Sequence, residues 1–132
     1  VDKMEEITRQ SYDILREINL EAEAHLETST LSYGKQRSLE LGMALATAPK
    51  LLMFDEPTAG MSRSESHSAV ELIRRLTENK TMVIVEHDMD VVFSLADRVT
   101  VLHHGGILAT GAPAAIKEND AVKKAYLGET EV

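Results

Sequence analysis

Asp55 and Glu56 have the residue types and setting most suited to chemistry: two adjacent carboxylates between the apolar run Leu51-Leu52-Met53-Phe54 and Pro57. A short continuous apolar run reads as a strand buried on both faces. Pro57 blocks simple continuation of the ladder, so the acids fall where the strand must end. In parallel α/β sheets, ligands bind beyond the carboxyl ends of strands. Ionised groups are seldom left buried without a partner. Two readings follow. Either Asp55 holds Mg²⁺ and Glu56 handles a water, or both acids only cap the next loop.

Two further stretches have the same character. Upstream, Leu31-Ser32-Tyr33-Gly34-Lys35-Gln36-Arg37 leads into a helix expected from Gly34 to about Ala48. A helix N-terminus offers free N–H groups and the positive end of the dipole, which suits a phosphate. Gly34 permits close backbone approach. Ser32 is equally explained as an N-cap worth about 1 kcal/mol. Downstream, Thr81 to Val85 is β-branched and apolar and reads as a second buried strand, and its run Met82-Val83-Ile84-Val85 leads into Glu86-His87-Asp88. A histidine at a strand's carboxyl end can donate to a phosphate oxygen, or it can be a satisfied core residue.

Taken in order, these three stretches resemble the second half of an ATP-binding-cassette (ABC) nucleotide-binding domain. The first resembles the family's signature motif, LSGGQ, with Tyr33 in place of a glycine and Lys35 where Gln or Glu is usual. The second resembles Walker B with the catalytic glutamate attached, and the third the switch-histidine loop. The resemblance implies that Asp55 orients Mg²⁺, usually through water, that Glu56 polarises the attacking water, and that His87 senses the γ-phosphate. It also implies that the signature positions Leu31, Ser32, Tyr33, Gly34 and Lys35 contact ATP, with Ser32 and Gly34 binding the γ-phosphate held by the opposite subunit. The wording LSYGKQR, the Leu41-Gly42-Met43 run and the ending Ala125-Tyr126-Leu127-Gly128 are most similar to the branched-chain amino acid importer group.

The fold implied is a partial α/β P-loop NTPase with a mostly parallel sheet. Residues 1–48 would belong to the helical signature subdomain and residues 49–132 to the ATPase core. No glycine-rich phosphate loop of the form G-x-x-x-x-G-K-[ST] occurs in the 132 residues. The expectation is therefore the C-terminal half of an ATPase subunit, inactive alone. The implied partners are a second ATPase subunit, transmembrane permease subunits and, indirectly, a substrate-binding protein, at the cytoplasmic face of the membrane. Rival readings are a soluble ABC ATPase unconnected with transport and a non-catalytic interaction fragment. In the family topology the phosphate-loop strand lies between the His87 strand and the Val99 strand. Both should therefore have unpaired edges here, a template for self-association.

Other elements must position these residues. Ile7, Ile14, Leu15 and Ile18 recur at helical spacing, as do Leu39, Gly42, Met43 and Ala46, a stripe that Leu41 and Leu45 widen. Ser62 and Glu65 fit a capping box opening a helix with Ala69, Leu72, Ile73 and Leu76 on its apolar face. Asp88 should start a helix burying Met89, Val92, Phe93 and Ala96. Val99–Leu102 and Ile107–Thr110 read as paired strands, with Pro113 at a first helical position. Adjacent His103 and His104 should point to opposite faces of a strand, a poor metal pair. His25 and His67 lie far off in sequence. Net charge is −8, which argues against nucleic acid as the main partner. The absence of cysteine excludes disulfides and thiolate metal sites.

Overall fold

The computed structural model describes residues 2–127. They form two compact units, one up to His87 and one from Asp88 on. The residues after Leu127, including Gly128 of the family-like ending, lie outside the described residues.

The first unit starts with helix α1 (Lys3–Glu17). Asp2 caps it by accepting from the Met4 N–H at 3.3 Å, Glu5 and Glu6 sit in the first turn, and Arg16 lies in the last. This arrangement complements the helix dipole. Two short 3₁₀ turns, Glu21–Glu23 and Thr28–Thr30, lead to α2 (Tyr33–Ala46). Gly42 is where α1 and α2 meet: a Cβ there would lie 2.7 Å from Ile18 Cδ1 and 3.2 Å from Ile14 Cγ2. Ile18 is only 2% exposed and cannot retreat. The face of α2 that packs carries Leu41 and Gly42, flanked by half-buried Ser38 and Leu45. Leu41, Gly42 and Leu45 of the expected stripe pack, but its Met43 and Ala46 are exposed, which is a correction. Ile7 is also exposed, so only the C-terminal half of α1 is covered.

Strand β1 (Leu51–Asp55) pairs in parallel with β2 (Thr81–Val85), with Asp55 opposite Val85. Parallel strands need a crossover, here α3 (Arg63–Leu76). Its capping box forms as read from sequence: Ser62 Oγ accepts from the Glu65 N–H at 3.3 Å, and Glu65 Oε2 accepts from the Ser62 N–H at 2.9 Å. Val70, Leu72, Ile73 and Leu76 are buried and Ala69 half-buried. The expectation that β1 is buried on both faces needs correction. Leu52 is buried, but Leu51, Met53, Val83 and Val85 are 45–72% exposed. The register puts these four on one face, and among the described residues nothing covers it.

The second unit is smaller. Helix α4 (Met89–Leu95) is capped by Asp88, whose carboxylate accepts from the Asp90 and Val91 N–H groups. Strands β3 (Val99–His103) and β4 (Gly106–Gly111) form an antiparallel hairpin. Its two-residue turn, His104-Gly105, has φ of +47° and +78°, the pattern of a type I′ turn. A bulge at the Val101–Leu102 step leaves Leu108 without a ladder partner, and Leu108 packs on the core. Helices α5 (Pro113–Glu118) and α6 (Asp120–Val122) follow, and a π turn, Lys123–Leu127, continues from α6. Val92, Val99, Val101, Ile116 and Val122 form the core, with Met89, Phe93 and Ala96 packed against it. The described strands thus form one parallel pair, in keeping with the expected α/β fold, and the hairpin expected from Val99–Leu102 and Ile107–Thr110. Neither β2 nor β3 has a second partner among the described residues.

Candidate functional site

The carboxyl ends of β1 and β2 bring the principal candidates together. Glu56 leaves the sheet with its N–H still bonded to the Val85 carbonyl at 2.8 Å. Its φ is +44°, a left-handed conformation that a non-glycine residue adopts only when its surroundings impose it. The turn carries the Glu56 carboxylate to His87, with Nδ1 and Oε1 3.1 Å apart. Both side chains are largely open to solvent. For Nδ1 to donate, the proton must sit on that nitrogen. In the neutral ring Nε2 is then an acceptor, so donation from Nε2 to a phosphate oxygen needs the protonated ring.

Asp55 is exposed and its carboxylate has no hydrogen-bond partner among the described residues. No group of three or more His, Asp or Glu side chains among them could form a metal cage. Mg²⁺ is normally held by one or two carboxylates, waters and substrate phosphates. The free Asp55 carboxylate, beside Glu56 at a strand end, fits that donor set.

The structure also contains a residue that the sequence reading passed over. Glu86 Oε1 accepts from Thr58 N–H at 3.1 Å and from Thr58 Oγ1 at 2.6 Å. Thr58 is buried, and Glu86 Oε2 is buried with no partner. This carboxylate ties the loop after Glu56 to the end of β2. The one signal for it in the sequence was an acid directly after an apolar strand.

The signature stretch forms the start of α2. Ser32 is the N-cap, with Oγ 3.5 Å from the Lys35 nitrogen. Leu31 is held from both sides: its N–H donates to the Thr28 carbonyl, and its own carbonyl accepts from Gln36 Nε2 at 3.1 Å. Lys35 is ion-paired with Glu23. Tyr33 donates its hydroxyl to the Ala59 carbonyl at 2.8 Å. Gly34 lies against α3, where a Cβ would meet Glu65 Oε1 at 3.2 Å. The side chains of Tyr33 and Lys35 are thus engaged within the chain. The polar group left at this entry is the α2 N-terminus with Ser32.

A cavity of about 240 Å³ lies in the same unit, lined by Arg37, Leu41, Phe54, Asp55, Met61 and Ile73, among others. In the second unit His103 and His104 come together, with ring centroids 4.0 Å apart at 65°. This corrects the expectation of opposite faces: His104 sits in the turn at positive φ, not on the strand.

Known proteins are similar to this chain in sequence and in fold. The ABC transporter family model matches residues 2–59, and the model for the branched-chain amino acid ATP-binding cassette transporter matches residues 107–132. The chain belongs to the ABC transporter ATP-binding family. The high-affinity branched-chain amino acid transport ATP-binding protein BraF of Pseudomonas aeruginosa is 43% identical over 117 residues, covering 87% of this chain and 46% of that protein. LivG of Escherichia coli, a protein of the same description, is 42% identical over 117 residues, with the same coverage. This ABC chain therefore spans about half the length of the curated relatives it matches. Among solved structures, the ADP conformation of an ATP-binding cassette of an ABC transporter superposes with a TM-score of 0.83 at 28% identity, covering 97% of this chain and 52% of that one. CbiO1 of Clostridium perfringens, part of an ABC transporter complex, gives 0.80 at 26% identity, covering 94% and 50%. No helix among the described residues is long and apolar enough to cross a membrane.

Proposed function

We propose that this chain is part of an ATP-hydrolysing subunit that powers import of branched-chain amino acids. The observation that carries the reading is the Glu56–His87 pair beside Asp55 at the ends of two parallel neighbours, in a family whose relatives bear branched-chain amino acid transport names. Glu56 orients and polarises the attacking water. His87, bonded to Glu56, faces the γ-phosphate and reports its presence to the hydrolytic carboxylate. Asp55 would hold Mg²⁺, usually through water, and the ion would supply neutralisation of charge on the phosphate oxygens. Ser32 and Gly34, at the α2 N-terminus, direct the dipole and free N–H groups at the γ-phosphate bound by a second ATPase subunit. Leu31, Tyr33 and Lys35 shape that entry. ATP would close the dimer, and hydrolysis would reopen it against permease subunits at the cytoplasmic face of the membrane, with a substrate-binding protein delivering the amino acid.

The sequence has no phosphate loop, so this chain alone should neither hold nor hydrolyse MgATP. Calorimetry at millimolar MgATP is expected to show no binding to the chain. When the chain is joined to a segment supplying the phosphate loop, hydrolysis should appear, and Glu56→Gln should lower kcat by about 10²–10⁴. Hydrolysis unaffected by Glu56→Gln would sink the assignment, and binding by the chain alone would overturn the split site.

A further inference from the structure

We propose that Tyr33 is a positioning residue: its phenol straps the signature entry to the loop that follows Glu56, and so holds Glu56 in its left-handed conformation. The inference rests on the ATPase reading for the role of Glu56, but its physical content does not.

A phenol hydroxyl has one proton to give and two lone pairs to offer. All three are used here. Tyr33 donates to the Ala59 carbonyl at 2.8 Å and accepts from Arg37 Nε at 3.0 Å and Arg37 Nη2 at 2.9 Å. Arg37 is itself braced by Glu40 at 2.6 Å. The Tyr33 ring also lies over Gly60, where a Cβ would come within 3.5–3.6 Å of it. Gly60 has φ +76°, so the loop turns under the ring. The residue just before Ala59 is gripped as well, where Glu86 holds Thr58. On either side of these grips the loop bonds to itself: the Ala59 N–H bonds the Glu56 carbonyl at 3.1 Å and the Met61 N–H bonds the Thr58 carbonyl at 3.2 Å.

Glu56 therefore sits at positive φ between a sheet bond to Val85 and a loop fixed at two points. Such a conformation persists only when its neighbours over-determine it. A glycine at position 33 has no side chain with which to reach Ala59. With tyrosine, the helix entry that would serve a partner's phosphate and the carboxylate that would serve this subunit's water move as one body.

The test is Tyr33→Phe, which keeps the ring over Gly60 and removes the hydroxyl. In this chain, amide exchange at Ala59 and Met61 should quicken about tenfold, with Val83 and Val85 unchanged. The three-bond HN–Hα coupling of Glu56 should move off its left-handed value. Unchanged exchange, or equal acceleration throughout, overturns the strap. In the chain joined to a phosphate-loop segment, Tyr33→Phe should lower kcat severalfold at constant KM for ATP. A rise in KM alone would overturn positioning, because Tyr33 would then touch the nucleotide. A joined protein that hydrolyses no ATP refutes the ATPase reading, while exchange and coupling still decide the strap.

Discussion

The two strand pairs of this molecule are built to different degrees of completeness. The hairpin β3–β4 closes through a two-residue turn, and its neighbours in sequence, α4, α5 and α6, supply a core in which Ile116 is 2% and Val122 0% exposed. The parallel pair β1–β2 closes only through α3, and one of its faces is left with Met53 at 72% and Val85 at 58% exposure. The contrast follows from connectivity. An antiparallel pair needs only a tight turn, whereas a parallel pair needs a crossover and normally has cover on both faces. The hairpin can be satisfied by residues adjacent in sequence. The parallel pair depends on residues from further away. The candidate chemistry sits on the less complete pair, at strand ends that place acids and a histidine side by side.

Truncating the complete core gives the sharpest measure of this difference. Ile116→Ala should cost about 2–5 kcal/mol in denaturant unfolding, whereas Met53→Ala should stay within about 0.5 kcal/mol. Equal costs would mean that the open face of β1 is covered in solution, for instance by a second copy of the chain at the unpaired edges. Light scattering of the wild-type chain would then show the larger species.

A smaller effect tests the part of the first unit that is tightly packed. Gly42→Ala gains helix propensity of up to about 1 kcal/mol but drives a methyl into the buried Ile18 side chain, which typically costs about 1–3 kcal/mol. Net destabilisation of about 1 kcal/mol is expected, and a stabilised variant would show that α1 and α2 are less closely seated.

The smallest effect belongs to the capping box. Ser62→Ala should cost about 1 kcal/mol. The Ser62 N–H, and then its hydroxyl, hold the exposed Glu65 carboxyl below its ordinary value. Its contribution is therefore present above the unfolded carboxyl's value and is lost as pH falls through the lower folded one. Glu65→Gln should flatten that part of the stability curve, and an unchanged curve would assign the acid sensitivity elsewhere.

Local chemistry made much of this legible. The Ser62–Glu65 box, Asp88 as a cap, Pro113 at a helix start and β2 at Thr81–Val85 are all set by residues within a few positions of one another. The Met43 and Ala46 stripe failed because helical spacing cannot tell which side of an apolar helix meets its neighbour. That was decided by Gly42, the one place where α1 could come close. The His103–His104 pair failed because strand alternation ends where the turn begins.

The sequence by itself determined the order of the three functional stretches, the caps that start the helices and the acids at the end of β1, because these depend on residue type and short spacing. Only the tertiary structure decided that His87 would meet Glu56, that Glu86 would grip Thr58 and that Tyr33 would reach Ala59. Those contacts join residues 26–31 positions apart. They exist because the parallel register aligns two strand ends and α2 packs beside them, and no spacing rule in a single sequence encodes that alignment.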